Sequence, residues 1–247
     1  MTTATASPSG HLVSGTARQS MRKALLACGI LASLLYAVTN IVGALRWEGY
    51  SSASQTVSEL FAIGAPSRAF LVPFALAYDV LIVAFGIGVW QCADRRRGLR
   101  IAACLLIVGG AIGPFWPPMH LRGDPVSLTD TLHVVFAGVV VLFNLLTIAF
   151  AATAFGVRFR LYSLVTLGVL LAFGALTARD GPRIPANLPT PWVGLYERIN
   201  IAAYLLWIAV TAIALLRAES ERPGRGLGSE PPHPERPTGT RRLSATV

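Results

Sequence analysis

Six long apolar runs, separated by shorter polar stretches, dominate the pattern of this 247-residue chain. Each run is close to the roughly 20 residues that a helix needs to cross a hydrocarbon core of about 30 Å. The runs occupy residues 24–45, 69–91, 101–119, 132–153, 161–178 and 199–216. The pattern therefore predicts an all-α, polytopic membrane protein, built as a bundle of six transmembrane helices.

The two ends of the chain differ from this central part. Residues 1–20 and 218–247 are rich in Ser, Thr, Pro, Gly and Arg, and they have no apolar periodicity. Segments of this kind cannot bury enough apolar surface to offset the entropy lost on ordering. We expect disordered tails at 1–20 and 218–247, on either side of a membrane domain at 21–217.

The distribution of Lys and Arg predicts the orientation of the bundle. Fifteen of the 21 basic residues lie on the side of the membrane that holds the amino terminus, and six lie on the other side. Because basic loops stay in the cytoplasm, we expect both termini there, in a multi-pass protein. The excess of Arg over Lys is typical of GC-rich bacterial genomes, which indicates a bacterial plasma (inner) membrane.

The net charge of +9 also bears on the partners of this chain. No nucleic-acid-binding motif accompanies the positive charge, so we do not expect a nucleic-acid partner. The charge instead indicates topology and attraction to anionic lipids, and we expect membrane lipids as the partners. The sequence does not identify a protein partner.

The first outer loop contains the stretch QTVSELFAIGAPSR, residues 55–68. Thr56 and Glu59 have the spacing of a capping box, in which each residue binds the backbone N–H of the other. Gly64 can adopt the left-handed conformation that ends a helix. The stretch therefore predicts a short interfacial helix over 57–63, lying along the outer surface of the bundle.

Small residues inside the apolar runs bear on how the helices pack. Gly109 and Gly113 form a Gly-x-x-x-Gly pattern in the third run. Lipid tails provide no hydrophobic drive between helices, so close approach of backbones at small residues is a common way for them to associate. We interpret this pattern as a packing surface.

Four features taken together resemble a known bacterial membrane family. They are Ser-Glu-Leu followed by Gly-Ala-Pro before the second run, GPFWPP at 113–118, His133 at the head of the fourth run, and GLYER at 194–198 before the sixth. This combination resembles the family called domain of unknown function 998 (DUF998) over about residues 24–216. The first outer loop resembles, more distantly, the six-span damage-regulated autophagy modulators. Neither resemblance implies a settled activity.

Asp79 lies near the middle of the second run. A carboxylate inside a membrane is energetically expensive and by default marks a functional site. Asn144 in the fourth run is expected at a similar depth. The pair has two interpretations: a protonated Asp79 that hydrogen-bonds to Asn144 and joins two helices, or a site that binds a ligand or a proton.

The second outer loop and its flanks contain His120, Asp124, Asp130 and His133. Imidazole and carboxylate groups are ligands of Zn²⁺, so His120, His133 and Asp124 could hold a single divalent metal ion. Their spacing matches no known metal-binding motif, and we expect no other cofactor. His133 could instead hydrogen-bond to a neighbouring loop or contact a ligand, and Asp130 could close a second capping box.

Glu197 and Arg198 open the sixth run at its outer end. A glutamate in the first turn of a helix is favoured by the helix dipole, whereas an arginine is not. Arg198 is therefore expected to pair with a carboxylate, and Glu59 and Asp124 are the candidates. The alternative is direct contact between Arg198 and an anionic ligand or a lipid phosphate.

These observations favour a non-enzymatic membrane protein with an outward-facing polar pocket that binds a lipid headgroup or a small ligand. The predicted ligand-binding residues are Asp79, Asn144, His133, Glu59, Glu197 and Arg198. One alternative is a metal-dependent, membrane-embedded hydrolase. A second alternative is a proton-coupled transporter, although the chain has no internal three-plus-three repeat.

The orientation can be checked with a reporter that is active only outside the cytoplasm. We expect this reporter to be silent when it is fused after Val247, because the carboxy terminus should be cytoplasmic. The same reporter inserted after Gly123, in the second outer loop, should be active. Activity at Val247 and silence at Gly123 would reverse the predicted orientation.

Overall fold

The computed structural model of this chain describes residues 9–221, with side chains from residue 17 onward. Six helices are long and apolar enough to cross a membrane, which confirms the predicted all-α architecture. A seventh, very short helix, α2, lies in the first outer loop. The helices are α1 (Ser9–Leu45), α2 (Val57–Leu60), α3 (Arg68–Cys92), α4 (Arg97–Ile112), α5 (Leu128–Ala152), α6 (Val157–Asp180) and α7 (Val193–Ser220).

The six long helices form a closed ring. Helix α1 packs against α3 and α7, α4 lies between α3 and α5, and α6 lies between α5 and α7. The contact between α5 and α6 is the least extensive around the ring. Because the long helices alternate in direction, the loops that precede α3, α5 and α7 share the end opposite the termini, which we call the outer end.

A compact apolar core fills the half of the bundle nearer the termini, which we call the inner end. Phe85 of α3 and Trp207 of α7 are almost completely buried. The indole N–H of Trp207 donates a hydrogen bond to Ser163 Oγ of α6 at 3.0 Å, so this large side chain is fixed in both position and orientation. The outward faces carry exposed apolar side chains such as Val80 and Val134, which is the surface that a lipid bilayer covers.

Glycines allow α3 and α4 to approach closely. A Cβ atom added at Gly110 would lie 2.8 Å from the Asp79 backbone carbonyl oxygen, and one at Gly86 would lie 2.8 Å from the Ile107 side chain. A Cβ atom added at Gly113 would collide with the Asp79 carboxylate. One added at Gly109 would lie 3.8 Å from the Phe143 ring of α5, which is an ordinary contact distance. The Gly-x-x-x-Gly pattern is therefore divided between two neighbours, and Gly110 and Gly113 form the surface against α3.

The amino-terminal boundary of the bundle differs from the prediction. Helix α1 begins at Ser9, inside the stretch 1–20 that was expected to be a disordered tail. Contacts with the end of α7 hold this extension: Gln19 Nε2 donates to the Glu219 carbonyl oxygen at 2.9 Å, and Arg22 pairs with the Glu219 carboxylate at 3.2 Å. Most of the predicted tail at 218–247 lies outside the described residues.

The predicted helix of the first outer loop is shorter and more buried than expected. It covers only Val57–Leu60, and Leu60 is fully buried, so it does not present a broad apolar face to the membrane surface. After the helix, the Ile63 N–H donates to the Met119 carbonyl oxygen at 2.8 Å, which joins the first outer loop to the second. Gly64 follows with φ at +87°, which confirms the predicted left-handed turn.

The glycine packing between α3 and α4 can be tested with two adjacent positions. We expect Gly110→Ala to lower the free energy of unfolding by about 1 to 3 kcal/mol, because its Cβ would collide with the α3 backbone. Gly109→Ala is the matched control and should be neutral or stabilising by up to about 1 kcal/mol, since alanine favours a helix. Unfolding by sodium dodecyl sulfate in mixed micelles would measure both, and equal effects would contradict the packing described here.

Candidate functional site

Polar side chains from three outer loops form one connected network at the outer end. We call this network the cap, and it consists of residues 46–67, 116–127 and 181–192 together with the first turns of α5 and α7. Its members are held mainly by contacts between residues that are far apart in the sequence. The cap therefore exists only when the six helices have assembled.

A buried ion pair joins the loops of the cap. Glu59 is 1% exposed, and its carboxylate accepts hydrogen bonds from Arg122 Nε and Nη2, both at 3.1 Å. The same carboxylate accepts the Thr56 backbone N–H at 2.7 Å, which confirms the predicted capping box. Arg122 also donates to Thr190 Oγ1 at 2.9 Å and to the Ser54 carbonyl oxygen at 3.2 Å. One guanidinium group thus connects all three outer loops.

Glu197 connects α7 to the short helix α2. Its carboxylate accepts the backbone N–H of Val57 and the hydroxyl of Ser58, the latter at 3.3 Å. The Val57 N–H is one of the backbone donors that the first turn of α2 leaves without an intrahelical partner. Glu197 therefore holds α2 in place over the outer end of the bundle.

Arg198 holds the part of the first outer loop that precedes α2. Its Nη1 donates to the carbonyl oxygens of Ser52 at 2.8 Å and Gln55 at 3.0 Å, and its Nη2 donates to the Tyr50 hydroxyl at 2.6 Å. Burial raises the pKa of Tyr50 to about 12, so this hydroxyl stays protonated at neutral pH. It donates in turn to the Thr56 carbonyl oxygen at 2.7 Å.

The predicted ion pair of Arg198 with Glu59 or Asp124 is wrong. Both oxygens of Glu59 are already occupied by Arg122, and Asp124 is exposed in its loop. Arg198 instead meets loop carbonyl groups that have no partner within a regular helix or sheet, and it satisfies them. The second capping box, which Ser127 opens and Asp130 closes, is confirmed.

The histidines have separate environments. His120 Nδ1 lies 2.9 Å from Asp130 Oδ2, and the His120 backbone N–H donates to Asp130 Oδ1 at 2.7 Å. His133 is buried, and its Nδ1 lies 2.7 Å from the Pro117 carbonyl oxygen and 3.0 Å from Trp116 Nε1. A protonated Nδ1 can donate to Pro117, whereas a bare Nδ1 can accept from Trp116, so each tautomer satisfies one neighbour.

The residues predicted to hold a metal ion are not gathered at one point. Among the described residues, no group of three His, Cys, Asp or Glu side chains could hold an ion. His120 pairs with Asp130, His133 binds the 116–117 segment, and Asp124 is exposed. Nothing in the described part of the chain supports the predicted set of His120, His133 and Asp124.

A second polar group lies in the outer half of the bundle, beneath the cap. Its residues are Asp79 of α3, whose carboxylate lies against Gly113, and Tyr36 and Asn40 of α1. Tyr36 packs on Tyr78 with ring centres 5.0 Å apart, and it lies within electrostatic range of Asp79. The Asn40 amide group donates to the Tyr36 carbonyl oxygen at 3.0 Å. We call Asp79, Tyr36, Asn40 and Tyr78 the membrane polar cluster.

Two acceptors of the membrane polar cluster have no donor among the described residues. Asn40 Oδ1 is buried without a hydrogen bond, and no hydrogen bond joins the Asp79 carboxylate to another described side chain or backbone group. The predicted contact between Asp79 and Asn144 is not formed, because α4 lies between α3 and α5. Asp79 instead faces α4 at Gly113.

Sequence reasoning missed three residues of this arrangement: Arg122, Tyr36 and Asn40. Arg122 is the only basic residue of its outer loop, so a search for a partner of Glu59 could have considered it. Tyr36 and Asn40 are four residues apart in the first apolar run and therefore share a helix face. The sequence gives that spacing, but it does not show that these two residues and Asp79 lie at similar depths in the bundle.

One family matches this chain. The model of the family described as "Protein of unknown function (DUF998)" matches residues 30–214, a region that reaches from α1 to α7. This match confirms the resemblance that the sequence motifs indicated. No curated protein and no solved structure matches the chain. The more distant likeness to the damage-regulated autophagy modulators is not supported by these comparisons.

The central role of Arg122 in the cap can be tested by removing it. We expect Arg122→Ala to lower the free energy of unfolding by about 3 to 5 kcal/mol, because it leaves the buried Glu59 carboxylate without its partner. The matched control is Arg183→Ala, which removes an exposed guanidinium group from the third outer loop and should cost less than about 1 kcal/mol. Unfolding in mixed micelles would measure both.

A second variant separates the ion pair from general damage to the loop. Adding Glu59→Gln to Arg122→Ala neutralises the abandoned carboxylate, so the double variant should recover part of the lost stability. If the two substitutions were simply additive, Glu59 and Arg122 would not be energetically coupled.

Proposed function

This chain belongs to the DUF998 family of membrane proteins, and we propose that it binds a lipid headgroup or a small ligand through the membrane polar cluster beneath the cap. The observation that carries the proposal is the pair of acceptors without donors, the Asp79 carboxylate and Asn40 Oδ1. Inside a membrane, a polar group without a partner is costly, and such groups usually line a path or a binding site. A ligand would provide the missing donors.

The chemistry of these acceptors selects the class of ligand. A carboxylate and an amide oxygen both accept hydrogen bonds, so they favour a group that carries several N–H or O–H donors. The Tyr36 and Tyr78 rings, which pack on each other in the same cluster, have faces that attract a cation. An ammonium group, free or as the headgroup of phosphatidylethanolamine, therefore fits this cluster better than a phosphate group would.

In this proposal the cap fixes the loop above the membrane polar cluster and does not itself contact the ligand. Glu197 and Arg198 bind the loop above the cluster, and both lie within electrostatic range of Tyr36. His133 and Glu59 belong to the cap and its margin, and their partners are supplied by the protein itself.

A proton-coupled transporter is the second candidate, and the position of Asp79 favours it. A carboxylate without a hydrogen-bond partner inside the membrane can be relieved by a proton as well as by a ligand. The metal-dependent hydrolase has no corresponding support, because the residues that would bind the metal lie in separate environments.

The ligand proposal can be tested by the thermal stabilisation of purified protein in detergent. Short-chain phosphatidylethanolamine should stabilise the protein more than short-chain phosphatidylcholine, whose quaternary ammonium group has no N–H donors. Asp79→Asn should weaken the binding of phosphatidylethanolamine about tenfold, which corresponds to about 1.4 kcal/mol. Asn144→Ala is the matched control, because Asn144 lies on α5, away from the membrane polar cluster, and this variant should bind as the wild type does.

Two outcomes would overturn the proposal. Equal stabilisation by the two lipids would remove the role of the N–H donors, and an Asp79→Asn variant with full lipid binding would remove the role of the carboxylate. If a pH-sensitive dye in proteoliposomes then reported proton uptake that depends on Asp79, the transporter would take the place of the binding protein.

A further inference from the structure

A second polar feature lies at the inner end of the bundle, far from the cap. It is a cavity of about 530 Å³, wide open to the surface, between the inner ends of α1, α3 and α4. The residues that line it are Arg18, Met21, Arg22, Trp90, Gln91, Asp94 and Arg100. None of them belongs to the cap or to the membrane polar cluster, so any role of this cavity is separate from the function proposed above.

The cavity has an excess of positive charge, with three guanidinium groups and one carboxylate in its lining. Arg18 and Arg22 lie one turn apart on α1, and Arg100 is in the first turn of α4 on the other side. Arg22 is engaged by Glu219 at 3.2 Å. The salt bridges of the described residues include neither Arg18 nor Arg100, and both side chains are exposed.

Trp90 indicates where the cavity lies relative to a bilayer. It is two residues from the end of α3 and is 46% exposed, whereas Val89 and Cys92 near it on the same helix are buried. Tryptophan favours the headgroup level of a membrane, where its ring is in contact with lipid and its N–H with water. Arg100 lies 5.8 Å from the centre of this ring. The cavity therefore opens at the depth of the lipid headgroups.

We infer that this cavity binds a phosphate group, with Arg18 and Arg100 as its two direct contacts. A guanidinium group donates two parallel hydrogen bonds to phosphate oxygens, and it is less strongly hydrated than the ammonium group of lysine. Two guanidinium groups that line one cavity provide several hydrogen-bond donors for the oxygens of a phosphate group. The headgroup of an anionic phospholipid supplies such a phosphate at the right depth, and a soluble phosphate compound would supply the same chemistry from the water phase.

Three of the remaining lining residues suit a lipid, whereas the exposed carboxylate of Asp94 opposes part of the positive charge. Gln91 adds hydrogen-bonding groups, while Met21 and Trp90 are exposed apolar side chains next to the arginines. An anionic phospholipid has the same order of groups, a phosphate followed by apolar chains. Basic cavities between helix ends at the membrane surface are the kind of feature that holds such headgroups.

The binding can be measured by thermal stabilisation of the purified full-length protein with short-chain phosphatidylglycerol. We expect the double variant Arg18→Gln/Arg100→Gln to bind this lipid at least tenfold more weakly than the wild type. The matched control is Arg95→Gln/Arg97→Gln, which removes the same charge from exposed positions nearby that do not line the cavity. This control should bind within twofold of the wild type. Arg100→Gln alone, at an exposed residue without an ion pair, repeats the test if the double variant does not fold.

Competition with inorganic phosphate distinguishes the two sources of the phosphate group. If phosphatidylglycerol stabilises the protein and millimolar inorganic phosphate does not, the ligand is a lipid headgroup. If inorganic phosphate stabilises the wild type and the loss follows Arg18 and Arg100, the ligand is a soluble phosphate compound.

Equal losses in both double variants would show that only diffuse positive charge attracts the lipid, which would overturn the proposed site. Full binding by the Arg18→Gln/Arg100→Gln variant would overturn it as well. The inference does not depend on Asp79, and an Asp79→Asn variant should retain phosphatidylglycerol binding whatever its effect at the outer end.

Discussion

The buried pair between Glu59 and Arg122 decides how the outer loops of this protein can lie. A carboxylate that is 1% exposed must have a partner, because the cost of burying an isolated charge exceeds what local contacts return. Arg122 is this partner, and its Nη2 also donates to the Ser54 carbonyl oxygen while its Nη1 donates to Thr190 Oγ1. The first, second and third outer loops are thereby brought to one point, and the remaining cap contacts become possible around it.

The two ends of the bundle have opposite chemistry. At the outer end, the buried Glu59 carboxylate is paired with Arg122, and among the described residues the Asp79 carboxylate and Asn40 Oδ1 are acceptors without a donor. At the inner end, two arginines face a cavity without an ion-pair partner of their own in the described chain. Acceptors attract donor groups, and guanidinium groups attract phosphates. We therefore expect different ligands at the two ends, joined by a helical ring with glycine-mediated contacts.

Several features were predictable because they depend on near neighbours in the chain. Both capping boxes link residues three positions apart, and the left-handed conformation at Gly64 follows from the absence of a side chain. The partner of Arg198 was not predictable in this way. Arg122 and Glu59 are 63 positions apart, and only the assembled ring shows that Arg122 is the partner of Glu59. Arg198 therefore binds loop carbonyl groups instead.

Apolar length and i to i+3 spacing are local properties, so they were enough to predict the number of membrane-spanning helices, the approximate limits of most of them and the short caps. The combination of four short motifs was enough to indicate the family. Other relations appear only once the helices have packed: α4 separates Asp79 from Asn144, and Tyr36 of α1 packs on Tyr78 of α3, next to Asp79 in the sequence. The tertiary structure also decided that Arg18 and Arg100 face one cavity. These relations depend on the order of helices around the ring and on their rotation, which are set by packing between distant segments.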